Sequence, residues 1–278
     1  MIRLIALDFD GTVAGRGQKF DATMENYIRR WLQQGIGTVI CSGRPYRSLK
    51  WELEPLQLNI PIISNNGNLI RYKDSEETVY KHVFPRALAK TVIEEMEKVN
   101  IHPILHVDRY DDGYDLVTLH DMTERESIYV QMYENLYRRM EPEEAAKEDI
   151  LAIAGFTTPA DYYRLIEVDA IKNSGLISHL LKSYDPKLSL FECIGISTNK
   201  WRGLSSYAIY SGLTPQNILA VGDDTNDIAM IEGAAIGIAM DSAPDAVKEA
   251  ANMVCDIPPE EYGAFRKVDE VLRNRSLL

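Results

Sequence analysis

The chain predicts an α/β fold, a doubly wound and mainly parallel sheet that is split in sequence by an inserted α+β domain. Three observations predict it. Short apolar runs alternate with helically spaced segments through the first eighty residues. The same alternation returns after about residue 200. The stretch between carries hairpin and capping signals instead.

Ile2–Leu7, apolar but for Arg3, is the first strand. In Asp21–Gln34 the residues Met24, Tyr27, Ile28, Trp31 and Leu32 recur at helical spacing, and Gly35 stands where a left-handed C′ residue would end a helix. Ile36–Cys41 is a second strand, Pro45–Leu53 a helix with Pro in its first turn, and Ile60–Ile63 a third strand running into Asn65-Asn66-Gly67. Strands apolar on both faces belong to a parallel sheet covered by helices. Further on, Leu105–Val107 and Leu116–Leu119 flank the turn pair Asp112-Gly113, and Thr123 with Glu126 forms a capping box before a helix over Ser127–Met140. Ile150–Phe156 is another strand. The closing segment reads as helix Trp201–Ser211, strand Ile218–Val221, short helix Asp227–Glu232, strand Ala235–Ala239 and helix Pro244–Ala251. Residues 1–82 and 190–278 are therefore expected to form the α/β domain and 83–189 the insert.

The 278 residues are 45% hydrophobic and 26% charged, ordinary globular usage. Acidic residues outnumber basic ones by 42 to 30, for a formal charge of −12. That balance speaks against a nucleic-acid partner, whose phosphates are met by Lys and Arg, but leaves room for a small phosphate ester in a locally positive pocket. No apolar run approaches the ~18 residues of a membrane span. MIRLIALDFD reads as a first strand rather than a signal peptide. Cys41, Cys193 and Cys255 are few and far apart, which implies neither a disulfide framework nor a thiolate zinc site. The expected setting is cytoplasmic, with no membrane partner.

Open α/β sheets collect ligands at the carboxyl ends of their strands. Four strand ends here carry suitable residues: Asp8-Phe9-Asp10-Gly11-Thr12, Ser42-Gly43-Arg44, Asn66-Gly67 and Gly222-Asp223-Asp224-Thr225-Asn226-Asp227, with Lys200 ahead of a helix. Asp8 and Asp10, two apart, start from one face of a strand. Two carboxylates so placed repel unless a cation lies between them or one holds a proton. Mg²⁺ suits such a site, being held by a few carboxylates together with water and phosphate oxygens. A carboxylate can also be a nucleophile toward phosphorus.

The sequence D-F-D-G-T, then S-G-R, then Lys before a helix, then G-D-x-x-N-D resembles the haloacid dehalogenase superfamily. The insertion after Asn66-Gly67 resembles the Cof-type branch. The resemblance implies a Rossmann-like core and an α+β cap that covers the substrate and selects its leaving group. It implies a Mg²⁺-dependent phosphatase of small phosphorylated metabolites, sugar phosphates first. In that reading Asp8 attacks phosphorus, while Asp10 protonates the leaving alcohol and later takes a proton from water. Thr12, Ser42, Gly43, Lys200 and Asn226 meet the phosphoryl oxygens or an adjacent water, Asp227 and Arg44 support them, and Asp8, Asp10 and Asp223 hold the metal. Three departures from the usual pattern leave this chemistry intact: Val13-Ala14 after Asp-Gly-Thr, Ser42 in place of Thr, and Trp201-Arg202 between Lys200 and Gly203.

Plainer readings fare worse. A calcium loop needs Gly at position six and Glu at twelve, but counting from Asp223 gives Ile228 and Ala234, and from Asp8 gives Val13 and Lys19. Walker, dinucleotide and H-E-x-x-H motifs are absent. His102, His106 and Asp108 read as an incidental grouping, and Tyr129, Tyr133 and Tyr137 as packing. Arg44, Arg47, Arg138 and Arg139 are candidates for substrate contacts. The rival functions are a phosphomutase using the same aspartyl-phosphate and a binding protein that has lost turnover. Dehalogenation is disfavoured by Asp10 and Asp223.

Overall fold

The computed structural model describes residues 1–15, 17–134, 136–182 and 187–275. In chain order the elements are β1 (Leu4–Asp8), α1 (Ala22–Gln33), β2 (Gly37–Cys41), α2 (Tyr46–Glu52), β3 (Pro61–Ser64), β4 (Leu69–Tyr72) and β5 (Thr78–Lys81). Next come α3 (Arg86–Lys98), β6 (Ile104–Arg109), β7 (Tyr114–Thr118), α4 (Glu124–Gln131), β8 (Tyr137–Arg139), α5 (Pro142–Ala145), β9 (Ile150–Thr157), α6 (Pro159–Ile166), α7 (Asp169–Lys172), β10 (Leu176–Lys182) and β11 (Ser189–Ile196). The chain closes with α8 (Lys200–Tyr210), β12 (Ile218–Gly222), α9 (Ile228–Gly233), β13 (Ile236–Met240), α10 (Asp245–Ala250), β14 (Met253–Cys255) and α11 (Gly263–Arg275).

Two compact units result, residues 1–81 with 199–278, and residues 82–198. The first is an eight-stranded sheet in the order β14-β13-β12-β1-β2-β3-β4-β5. It is parallel from β14 to β3, and β4 and β5 add on antiparallel. Leu4 and Ala6 pack with Leu204, Tyr207 and Ala208 of α8, while Ile5 and Leu7, turned to the other face by strand alternation, are equally buried. Both faces are thus covered, as a parallel sheet requires. Helix α1 ends as Gly35 predicts: Gly35 lies at φ +75, its N–H bonds Leu32 O, and Ile36 N–H bonds Trp31 O, a Schellman closure.

The second unit is a six-stranded sheet in the order β10-β11-β9-β6-β7-β8, antiparallel but for β7 with β8. Helix α3 packs one face through Ala89, Val92, Ile93 and Met96, and α4 packs the other through Tyr129 and Val130.

Three sequence expectations need correction. The return to the α/β unit comes at Asn199, not residue 190, because β11 pairs with both β9 and β10. The capping box forms, with Thr123 N–H on Glu126 Oε2 at 2.6 Å, but its helix ends at Gln131. Tyr137–Arg139 leaves the predicted helix to pair with β7; Asn135, between them, lies outside the described residues. Pro45 caps α2 in extended conformation (φ −61, ψ 152) instead of sitting within it.

Candidate active site

Three loops of the first unit meet at Asp8. The loop after β1 turns back on itself: Val13 and Ala14 N–H both bond Phe9 O, and Gly11 N–H bonds Ala14 O. Gly11 lies at φ +76, and a Cβ there would stand 2.2 Å from the Asp223 carboxylate. Only glycine meets both demands, the left-handed backbone and the close approach. The loop after β12 is held by Asp227, whose Oδ2 accepts from the backbone N–H of Asp223 and Asp224 at 3.1 Å each. Gly222 is close-packed as well, since a Cβ would lie 2.5 Å from Asp227. Asn199 caps α8 by accepting from Arg202 N–H at 2.8 Å, which sets Lys200 at the first helical position.

Lys200 Nζ then bridges Asp8 Oδ1 at 2.6 Å and Asp227 Oδ1 at 2.7 Å. All three side chains are buried. Asp223 lies alongside, its Oδ1 accepting from Thr12 Oγ1 at 3.2 Å. Asp8, Asp223 and Asp227 each place a carboxylate oxygen within 4.8 Å of the others, the one grouping of three or more metal-binding side chains among the described residues. Burial drives the Asp8 carboxyl well above the usual carboxylate range; Lys200 opposes this, while Asp227 and Asp223 add to it. Asp223 is raised too, first by burial. Burial alone would pull the Lys200 ammonium down, but Asp8 and Asp227 outweigh it and hold Lys200 above the ordinary lysine range. One ammonium therefore faces three carboxylates, and the residues fit a divalent cation that would restore the balance. Asp227 is already engaged through both oxygens, which leaves Asp8 and Asp223 as the better ligands.

Asp10 differs from expectation. Its carboxylate is not in this group but is clamped by Arg44, with Nε on Oδ2 at 2.8 Å and Nη2 on Oδ1 at 2.5 Å. Arg44 also reaches Glu52 at 3.1 Å through Nη1. Ser42 is buried, and its Oγ accepts from Arg44 N–H at 3.1 Å. Gly43 leaves no room for a side chain without crowding Asn66, whose Oδ1 would lie 3.2 Å from a Cβ. Asn226 donates Nδ2 to Asn66 Oδ1 at 3.1 Å. Asn66 thus belongs to the site by contact, although the sequence signals it only as a polar strand end.

Arg47 lies on α2 of the first unit, and the remaining candidates lie in the second unit. His106 is buried and bonds Tyr129 OH at 2.8 Å, with Tyr133 packed beside both rings, so these residues form a packed cluster rather than a metal set. Arg138 lies over Tyr114, and Arg139 pairs with Asp121 at 2.8 Å.

A family model described as haloacid dehalogenase-like hydrolase matches residues 5–263. The 5-amino-6-(5-phospho-D-ribitylamino)uracil phosphatase YitU of Bacillus subtilis is 28% identical over 276 residues, covering 96% of each chain. The pyridoxal phosphate phosphatase YbhA of Escherichia coli is 26% identical, covering 91% of this chain and 92% of that one. Among solved structures, a haloacid dehalogenase-like hydrolase from Bacteroides thetaiotaomicron superposes with a TM-score of 0.79 at 22% identity, covering 98% of this chain and 100% of that one. A sugar phosphatase of subclass IIB gives 0.75 at 20% identity, covering 97% and 98%. No described helix is long and apolar enough to cross a membrane.

Proposed function

The chain belongs to the haloacid dehalogenase-like hydrolases, and on that premise we propose that it is a Mg²⁺-dependent phosphatase of small phosphorylated metabolites, sugar phosphates foremost, acting through an aspartyl-phosphate on Asp8. Its class, phosphoric monoester hydrolase, follows from phosphatases similar to it over nearly their whole length. The observation that carries the mechanism is the buried bridge of Lys200 between Asp8 and Asp227 with Asp223 alongside.

In the first step an Asp8 oxygen bonds to phosphorus as the ester P–O bond breaks, and the departing alkoxide takes a proton from Asp10. In the second, water attacks phosphorus and gives its proton to Asp10, and the acyl-phosphate P–O bond breaks to release phosphate and restore Asp8. Lys200 holds Asp8 in place and offers its remaining N–H to the transferring oxygens, while Asp227 keeps Lys200 aimed. Both Asp10 oxygens are held by Arg44, so this clamp opens for each proton transfer. Asp8 and Asp223 would hold Mg²⁺, which supplies positive charge against the phosphoryl oxygens when bound. No observation favours return of the phosphoryl group to a sugar, so hydrolysis is preferred over the mutase reading.

The test is phosphate release from sugar phosphates, a ribityl phosphate, pyridoxal phosphate and p-nitrophenyl phosphate. Each is run with Mg²⁺, with EDTA, and with Asp8→Asn, which keeps the shape and removes the nucleophile. Release that falls at least about 1000-fold in Asp8→Asn and stops in EDTA is expected. Wild-type protein that frees no phosphate from any ester with Mg²⁺ present would overturn the proposal.

A further inference from the structure

We propose that Asn66 is a positioning residue that acts through Asn226, fixing which end of the Asn226 amide is offered to the ligand. The inference rests on the phosphatase reading of the same site. Asn66 is buried and sits at φ 52, ψ 37, following Asn65 at φ 49, two consecutive left-handed residues at the end of β3. A left-handed backbone at a non-glycine residue is uncommon and is best tolerated by Asn. It persists here because the turn is pinned on both sides. Asn65 N–H bonds Arg44 O at 3.0 Å, and Asn66 N–H bonds Ser42 O at 3.1 Å. The Asn66 amide is thereby lodged against Gly43 and takes Asn226 Nδ2 at 3.1 Å.

Held through one N–H of its NH₂ group, the Asn226 amide keeps its carbonyl and one further N–H to offer. Asn226 Oδ1 is buried and has no hydrogen-bond partner among the described residues. A buried polar atom left unpaired is costly, so it marks a place for a partner that arrives with the ligand. As an acceptor it does not suit a bare phosphoryl oxygen. It suits a proton-bearing one: a water lying against the phosphate, or a hydroxyl of the phosphate itself. Asn66 makes that choice, because with its Oδ1 removed the Asn226 amide can turn over.

A double-mutant cycle on inorganic phosphate binding, measured by calorimetry with Mg²⁺ present, tests this. Asn66→Gly deletes the amide while keeping a residue at ease at positive φ, and Asn226→Ala deletes the group it positions. Each single variant is expected to weaken phosphate binding roughly tenfold. The double variant should be within about twofold of the weaker single one, since Asn66 has nothing to position once Asn226 is gone. Losses that multiply to about a hundredfold would overturn the inference. Thermal melts confirm that the fold survives, and if Asn66→Gly does not fold, Asn66→Ser takes its place in the same cycle. Binding is read without turnover. Coupling in a protein that hydrolyses nothing refutes only the phosphatase reading, and turnover with multiplicative losses refutes only this inference.

Discussion

At Lys200 a single ammonium compensates two buried carboxylates, and removing it leaves both uncompensated. Lys200→Met is expected to cost about 3–5 kcal/mol of unfolding free energy at pH 8, read by denaturant titration. The deficit should shrink at pH 5. Asp8 has a carboxyl raised in the folded state, so protonation favours the native form as pH falls. Glu192, on β11 opposite Ala154, makes a second pH-dependent case. Burial pushes its carboxyl up to about 7. A raised acid contributes full stability below its ordinary value and loses it as pH climbs through the folded one. Melts from pH 5 to pH 8 should therefore show a decline of about 1–3 kcal/mol that Glu192→Gln removes, and an unchanged slope in that variant would refute the assignment. That Asp8, Lys200, Asp223 and Asp227 belong together was legible in the sequence, because their residue types and order at successive strand ends announce it. The Asn66–Asn226 contact was not, since it joins residues 160 positions apart and neither amide carries a spacing rule. The Arg44 clamp on Asp10 likewise joins residues that no spacing rule links.

Helix α8 illustrates how an element positions a site. Gly203 lets it approach the Asn65–Gly67 turn backbone to backbone: a Cβ there would lie 2.7 Å from Gly67 Cα. Gly203→Ala is expected to push α8 outward, costing about 1–3 kcal/mol and lowering kcat, because Lys200 rides on the same helix. A variant with wild-type melting and turnover would show that the contact is idle. Strands β1, β2, β3, β12 and β13 of the parallel sheet were readable because each is apolar on both faces, and the β6–β7 hairpin because Gly113 takes the left-handed turn position (φ +81). Strands β4, β5, β10 and β11 escaped notice, as did the three-residue β14. Their sequences, such as Thr-Val-Tyr-Lys and Leu-Ile-Ser-His, mix polar and apolar residues without a turn pair to bound them. Tyr137–Arg139 was misread because three residues are too few to show a period, and partnership with β7 alone makes them a strand.

Each of the two units holds its own core. The cluster built on α3, β6, β9 and β11 draws only on residues 84–193, and that built on β1, β2 and α8 draws only on the flanking segments. Residues 82–198 expressed alone should accordingly melt cooperatively, and a sloping, non-cooperative transition would show that this unit depends on the rest. The first unit cannot be complete so early. Its central seam pairs Leu4 with Ile218, strands separated by most of the chain. At a translation rate of about 5–20 residues per second, β1 waits roughly 10–40 s on the ribosome for its neighbour. During that time an apolar strand stands with one edge open, a ready target for self-association or for a holding chaperone. Asp8 meanwhile is a nascent side chain with neither Lys200 nor Asp223 yet made. The cluster of Asp8, Lys200, Asp223 and Asp227 comes together only once β12 and the loop after it are made, so a chain truncated before β12 would expose the β1 edge and lack that cluster.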